Sequence, residues 1–350
     1  MVGKPGFVTN VKLVGRTQEL ATLDAEWRRA QTGAFRCVLL SGDPGMGKTR
    51  LTDEVLRRHR GIGLRARAFP LGETSSFGMW AEALDGHLAA LSAEELDRLC
   101  GGFLEDLAAV LRSIPAVCGL SPTGEPASQT LMKGLTALLD GLSRTEPVTV
   151  ILDDVHLADS SSWETLHYLA RSLPRSRLLV IAAGRPAELA ESRIGLEVML
   201  SLEHEGLLTR IDLKALSELE LSRLAEMVLG EYPSQPLMAW LAERSQGIPL
   251  FALTLLQALV EEEVDPSQPR LQALPGHLVD RIVGRLRGLT SEGQQMLELL
   301  AVVGRRIDLM ELIPVTGEPL ERLAPVLDGL VQSRLVREEH RGGRITYEIA

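Results

Sequence analysis

Between positions 35 and 213 the chain alternates two hydrophobic patterns. Short apolar runs stand at 35–41 (FRCVLLS), 63–69 (GLRARAF), 148–154 (VTVILDD), 177–185 (RLLVIAAGR) and 208–213 (LTRIDL). Runs of this length predict strands, and those almost without polar residues predict strands covered on both faces. Helical spacing separates them. It is read at 48–60 (Leu51, Val55, Leu56), at 80–111 (Leu84, Leu88, Leu91, Leu96, Leu99, Phe103, Leu107, Val110), at 128–142 and at 160–173. Ser160–Ser162 reads as the cap of the last of these, and the Pro-, Gly- and Ser-rich stretch 113–126 as loop. Strands alternating with helices predict an α/β fold with a parallel sheet.

Beyond Leu216 the pattern turns helical, at 217–229, 236–246 and 250–262. The charged, proline-containing stretch 261–270 predicts a linker. After it come helical patterns at 276–287, 291–303 and 319–333, then strand, Gly-Gly turn and strand. The expected domains span 1–215, 216–265 and 266–350.

Aromatic residues make up only 4% of the chain, so the core has to rest on Leu, Val, Ile and Ala. A net charge of −10 disfavours non-specific binding to nucleic acid or to anionic membrane, both of which draw on surface Lys and Arg. Cys37, Cys100 and Cys118 are odd in number and widely spaced, which argues against a disulfide framework or a zinc site. Cys37, inside a strand pattern, reads as a small buried hydrophobe. With neither a signal-peptide pattern nor a membrane-length apolar stretch, the cytoplasm is the expected compartment.

The candidate chemistry begins at Gly42-Asp43-Pro44-Gly45-Met46-Gly47-Lys48-Thr49, which fits G-x-x-x-x-G-K-[ST] between a strand and a helix. In such a P-loop the glycines let successive N–H groups face phosphate oxygens, and the helix N-terminus adds positive charge. Lys48 would reach the β- and γ-phosphates, and the Thr49 hydroxyl would ligate Mg2+. Asp153 and Asp154 end a buried strand. Asp153 would hold Mg2+, directly or through water, and Asp154 would position or activate the attacking water; acidic residues that merely end a strand are the plainer alternative. His156 is either a contact near the γ-phosphate or a satisfied turn histidine. Arg185, at another strand end, is a candidate sensor of the γ-phosphate; the alternative is a surface arginine before Pro186. Pro249 suits the first turn of a helix, and spacing alone says no more of it.

As an ordered set, Leu13-Val14-Gly15-Arg16 with Glu19-Leu20, GDPGMGKTRL through Arg50, VTVILDDVHLAD, Gly184-Arg185 and QGIPLF resemble the STAND-type AAA+ ATPases. They look most similar to the ATPase core of MalT/LuxR-like bacterial transcription regulators. The resemblance covers about 13–350. It implies a P-loop NTPase sheet flanked by helices, a helical lid and a winged-helix domain. It also implies Val14, Gly15 and Arg16 near the adenine and ribose, Pro249 as lid proline and Arg185 as sensor. A switch is implied too: ADP in a silent form, exchanged for ATP with self-association once an inducer or partner protein binds. Such regulators continue into a helical-repeat sensor region, so the sequence ending at Ala350 is expected to be a piece of a longer one. Arg171 and Arg175 are weak candidates for an arginine finger acting in trans.

The expected function is a slow regulatory ATPase using ATP or ADP with Mg2+. The competing readings are a DNA-binding initiator or loader, a P-loop kinase, and a scaffold that holds nucleotide without turnover. Glu318, Glu321 and Asp328 against Arg322 and Arg334 on the expected third helix of the last domain argue against a phosphate-binding surface.

Overall fold

A computed structural model describes residues 12–68, 76–120, 124, 126–261, 290–303, 307–332, 336–341 and 344–349. They fall into two compact units, Met1–Pro269 and Arg270–Ala350.

In the first unit, β1 (Arg36–Ser41), β2 (Ile62–Arg67), β3 (Val148–Asp153), β4 (Leu178–Gly184) and β5 (Leu208–Asp212) form one parallel sheet in the order β2-β3-β4-β1-β5. All five strands stand where the apolar runs predict them. Because side chains alternate across a strand, each run feeds two cores. Cys37 and Leu39 of β1 join Val150 and Leu152 on one face, whereas Val38 and Leu40 join Ile151 and Ile181 on the other. The second face is covered by α1 (Thr17–Gln31), through Leu20, Leu23 and Trp27, and by α2 (Lys48–Arg58), through Leu51 and Val55.

The first face carries α3 (Gly78–Leu88), α4 (Ala93–Cys100), α5 (Leu104–Leu107), α6 (Ser113–Cys118), α7 (Ser128–Thr145), α8 (Ser160–Ser172), α9 (Pro186–Glu191) and α10 (Arg193–His204). The result is an α/β P-loop NTPase fold, a sheet between two helical layers. After β5 come α11 (Glu218–Leu229), α12 (Gln235–Ser245) and α13 (Pro249–Glu261).

Several local expectations need correction. The helical pattern over 80–111 is three helices. Ser92 and Glu95 form a capping box that starts α4, and Gly101 ends it in the left-handed region. The expected loop at 113–126 contains α6, because Asp85 accepts both the N–H and the hydroxyl of Ser113 and anchors its start. The cap of α8 is Asp159, which accepts the Ser162 N–H, and not the serine cluster itself. Neither α1 nor the α9–α10 pair is anticipated by the pattern reading.

The second unit contains α14 (Ser291–Val303), β6 (Ile307–Asp308), α15 (Leu309–Thr316), α16 (Leu320–Gln332), β7 (Val336–Arg341) and β8 (Arg344–Ile349). Its antiparallel sheet runs β6-β8-β7 around a core of Met296, Leu300, Leu312, Leu327 and Tyr347. The linker expected at 261–270 and the helix at 276–287 lie outside the described residues, apart from Glu261, where α13 ends. Among the described residues no helix is long and apolar enough to cross a membrane.

Candidate nucleotide site

Register places the site. Ser41 pairs with Gly184 on one side and Asp212 on the other, and Arg67 pairs with Asp153. The loops after β1, β2, β3 and β4 therefore leave the sheet along the same carboxyl edge, where ligands of open α/β sheets collect.

The loop after β1 is Gly42–Gly47, and α2 begins at Lys48. Gly45 and Gly47 have φ of 85° and 91°, a region that side chains with a Cβ rarely adopt. The Lys48 side chain is only 8% exposed, and its ammonium donates to the carbonyl oxygens of Gly42 at 2.6 Å and Asp43 at 3.2 Å. Burial lowers its pKa, opposed first by the charge of Asp154. A desolvated cation with acidic neighbours is disposed to take up anionic oxygen.

The Thr49 hydroxyl donates to Asp153 Oδ2 at 3.0 Å, across a sequence separation of 104 residues. The other oxygen of Asp153 accepts the Asp154 N–H at 3.0 Å, so the buried carboxylate is held from both sides. This hydroxyl–carboxylate pair is a hard-oxygen donor set. It fits a magnesium ion that takes its remaining ligands from phosphate and water. Among the described residues no group of three or more His, Cys, Asp or Glu gathers as a metal cage, and such an ion does not require one.

Asp154 sits at φ 52°, a left-handed turn just beyond β3, and its Oδ2 accepts from Arg67 Nε at 2.9 Å. His156 lies in the short 3-10 turn Val155–Leu157. The Nε2 of its buried ring lies 2.7 Å from Glu188 Oε2. Arg185 precedes α9 and donates from Nη1 to Glu188 Oε1, also at 2.7 Å. The charges of both Arg185 and Glu188 act on Lys48.

On the other side of the loop, Arg16 is buried and donates from Nη2 to the Met46 carbonyl at 3.1 Å and from Nη1 to Glu19 at 3.1 Å. Gly15 packs beside the Glu220 carboxylate of α11. Ile248 and Leu250, which flank Pro249, lie against Gly45. Val14 and Pro249 are half-buried on either side of this junction, and Arg50 lies in the first turn of α2. Away from the P-loop, a cavity of about 650 Å³ between α7, α8 and α10 is lined by Met132, His167, Arg171 and Ile194 and by none of the residues around the loop.

Sequence reasoning missed Arg67 and Glu188. Arg67 carried only the signal of a charged residue near a strand end, and its register with Asp153 is seen only in the structure. Glu188 was detectable only as a carboxylate one helical turn beyond Arg185.

Residues 12–181 match the family described as AAA ATPase domain. The chain is 26% identical over 370 aligned residues to an uncharacterized protein of Rhizobium meliloti (strain 1021); the match covers 96% of this chain and 34% of that protein. It thus spans about a third of the length of the curated relative it matches. Among solved structures it is similar to a Signal Transduction ATPase with Numerous Domains (STAND) protein with a tetratricopeptide repeat sensor from Pyrococcus horikoshii. That match has 18% identity and a TM-score of 0.46, and covers 96% of this chain and 41% of that one. It is also similar to Thermotoga maritima RuvB, at 15% identity and a TM-score of 0.44, over 96% of this chain and 92% of that one. The family match over residues 12–181, with the P-loop geometry and the sheet order already described, supports a nucleotide-binding AAA+ P-loop ATPase domain in that part of the chain.

Proposed function

We propose that this chain is the ATPase core of a STAND-type signalling protein, similar to the MalT/LuxR-like transcription regulators, in which slow ATP hydrolysis resets a switch. Lys48 and the amides of Gly42–Thr49 hold the phosphates, and Thr49 with Asp153 holds Mg2+. Asp154 positions the attacking water, and Arg185 reads the terminal phosphate. Bound magnesium would neutralise phosphate charge, and the residues themselves supply orientation. Val14, Gly15, Arg16 and Pro249 frame the base and ribose. In this reading 1–215 is the nucleotide-binding domain, 216–265 the lid and 266–350 a winged helix, and the protein works in the cytoplasm through self-association and an inducing partner. The observation that carries it is the Thr49–Asp153 bond, which joins two distant loops into one oxygen-rich centre beside Lys48.

The contacts between α13 and Gly45 support nucleotide-dependent coupling of lid to loop, because anything that moves the loop carbonyl moves the helix start. The winged helix is read as a packing module. On α16 the exposed Arg322 donates to Glu318 at 3.3 Å, which leaves little net positive charge to meet a phosphate.

Nucleotide binding and hydrolysis, measured on wild type, Lys48→Ala and Asp154→Asn, test the assignment. Lys48→Ala should lose binding, and Asp154→Asn should bind and lose turnover. Equal ATP affinity in wild type and Lys48→Ala would falsify the phosphate site. Duplex DNA binding at about 0.15 M salt, near physiological ionic strength, would favour the initiator reading instead.

A further inference from the structure

Arg185, Glu188 and His156 form a chain of contacts that the proposed reaction leaves half unused. A carboxylate such as Glu188 accepts hydrogen bonds and offers an oxygen to each neighbour. Arg185 donates to Oε1 at 2.7 Å, and the His156 Nε2 lies 2.7 Å from Oε2. The Nδ1 of His156 is buried and lacks a hydrogen-bond partner. Burial lowers the pKa of the ring, opposed first by the charge of Glu188.

The backbone around this chain is tightly fixed. The Leu189 N–H donates to the Arg185 carbonyl at 2.9 Å and starts α9 directly on the strand end. A Cβ on Gly184 would stand 2.8 Å from Leu189 Cδ1 and 3.2 Å from Val155 Cγ2, so α9 and the turn bearing His156 close on the strand only because residue 184 has none. Glu188 is 40% exposed and Arg185 likewise, whereas the His156 side chain is 2% exposed. A surface ion pair between neighbouring turns does little by itself. Here one end is anchored to a buried ring that cannot swing.

We propose that Glu188 and His156 are positioning residues that set the Arg185 guanidinium to discriminate nucleoside triphosphate from diphosphate. The inference rests on the reading of Arg185 as the terminal-phosphate contact. Glu188 takes Nη1, and a guanidinium carries five N–H donors, so one carboxylate oxygen orients it without exhausting it. His156 in turn fixes the carboxylate. Neither residue touches the nucleotide in this scheme, and both act through Arg185.

The test is the ratio of ATP to ADP affinity, with magnesium, in the full chain. Glu188→Ala and Arg185→Ala should each lower that ratio about ten-fold or more (roughly the effect of one charge-assisted hydrogen bond), with ADP affinity unchanged. The double variant should fall no further than Arg185→Ala alone. Glu188→Gln, which keeps one acceptor oxygen for Arg185 and removes the charge, should show a smaller loss, and His156→Ala should follow Glu188→Ala. The proposal is overturned if Glu188→Ala leaves the ratio at the wild-type value or raises it, or if its effect persists undiminished beside Arg185→Ala. A shift with Arg185→Ala but none with Glu188→Ala sinks this inference and spares the sensor reading. No shift with either, alongside loss of binding in Lys48→Ala, sinks both and spares the phosphate site.

Discussion

The backbone N–H of Leu250 donates to the carbonyl oxygen of Gly45 at 3.2 Å, so the first turn of α13 is hydrogen-bonded directly to the phosphate loop. Ile248 and Leu250 also pack where a Gly45 side chain would be, with Ile248 Cγ2 and Leu250 Cβ each 3.1 Å from that position. The loop and the helical segment after the sheet consequently share one residue as a hinge point.

Gly45→Ala should therefore damage the site twice. It places a Cβ at φ 85°, which costs about 1–2 kcal/mol, and it pushes Ile248 and Leu250 away. We expect ATP affinity to fall about ten-fold or more, with the unfolding midpoint lowered only modestly. Titration with a fluorescent ATP analogue reads the first and urea denaturation the second. Unchanged affinity would mean that the loop–helix contact has no part in binding.

Thr49→Val separates the metal from the phosphates. The change is nearly isosteric and removes the hydroxyl that donates to Asp153. ATP affinity with magnesium should drop about ten-fold, as loss of one metal ligand and its orienting bond implies. Affinity in the presence of a chelator should stay at the wild-type level. A parallel fall in both would assign Thr49 to phosphate and not to metal.

Much of this site was legible in the sequence because its parts are contiguous or strand-terminal. Gly42–Thr49 declares itself as a run, and Asp153 declares itself by closing a strand buried at every position from Val148 to Asp153. Side-chain pairs between separate elements were not legible. Nothing in the spacing says that Arg67 meets Asp154 across a gap of 87 residues, or that Arg16 reaches the Met46 carbonyl. The missed helix α1 did carry a signal, since Leu20, Leu23, Trp27 and Ala30 line one face and are all buried. Five charged residues among its fifteen obscure that stripe. One of them, Glu26, turns out to be buried.

Glu26 is 5% exposed and accepts from Arg36 Nε at 2.5 Å, with Arg29 and the Thr209 hydroxyl sharing its other oxygen. It ties α1 to β1 and β5 beneath the sheet edge. Glu26→Ala leaves the Arg36 guanidinium largely buried and without its carboxylate, and should cost about 3–5 kcal/mol. The exposed Arg57→Ala, which loses only a surface pair with Glu54, should barely move the denaturation midpoint. Chemical denaturation of both variants checks the contrast, and a similar small effect in each would mean that the Glu26 network is not a structural tie.

The last prediction concerns acid. His59 caps the end of α2, stacks on Trp27 with ring centroids 4.6 Å apart and planes within 4°, and has its Nε2 3.3 Å from Asp24 Oδ1. Burial lowers its pKa, only partly offset by the hydrogen bond and charge of Asp24. The folded protein consequently resists a proton that the unfolded chain accepts at about 6.5. Stability contributed by this group is complete above that value and is lost as pH falls from there toward the lower folded pKa, because the unfolded state then binds more protons. His156 shifts in the same direction and adds to the slope. The melting temperature should fall between pH 7.5 and pH 5.5, roughly the window in which histidine titrates. His59→Phe, which keeps an aromatic ring on Trp27 and cannot titrate, should show a shallower fall. Identical slopes for the two proteins would show that the stacked imidazole does not resist protonation in the fold.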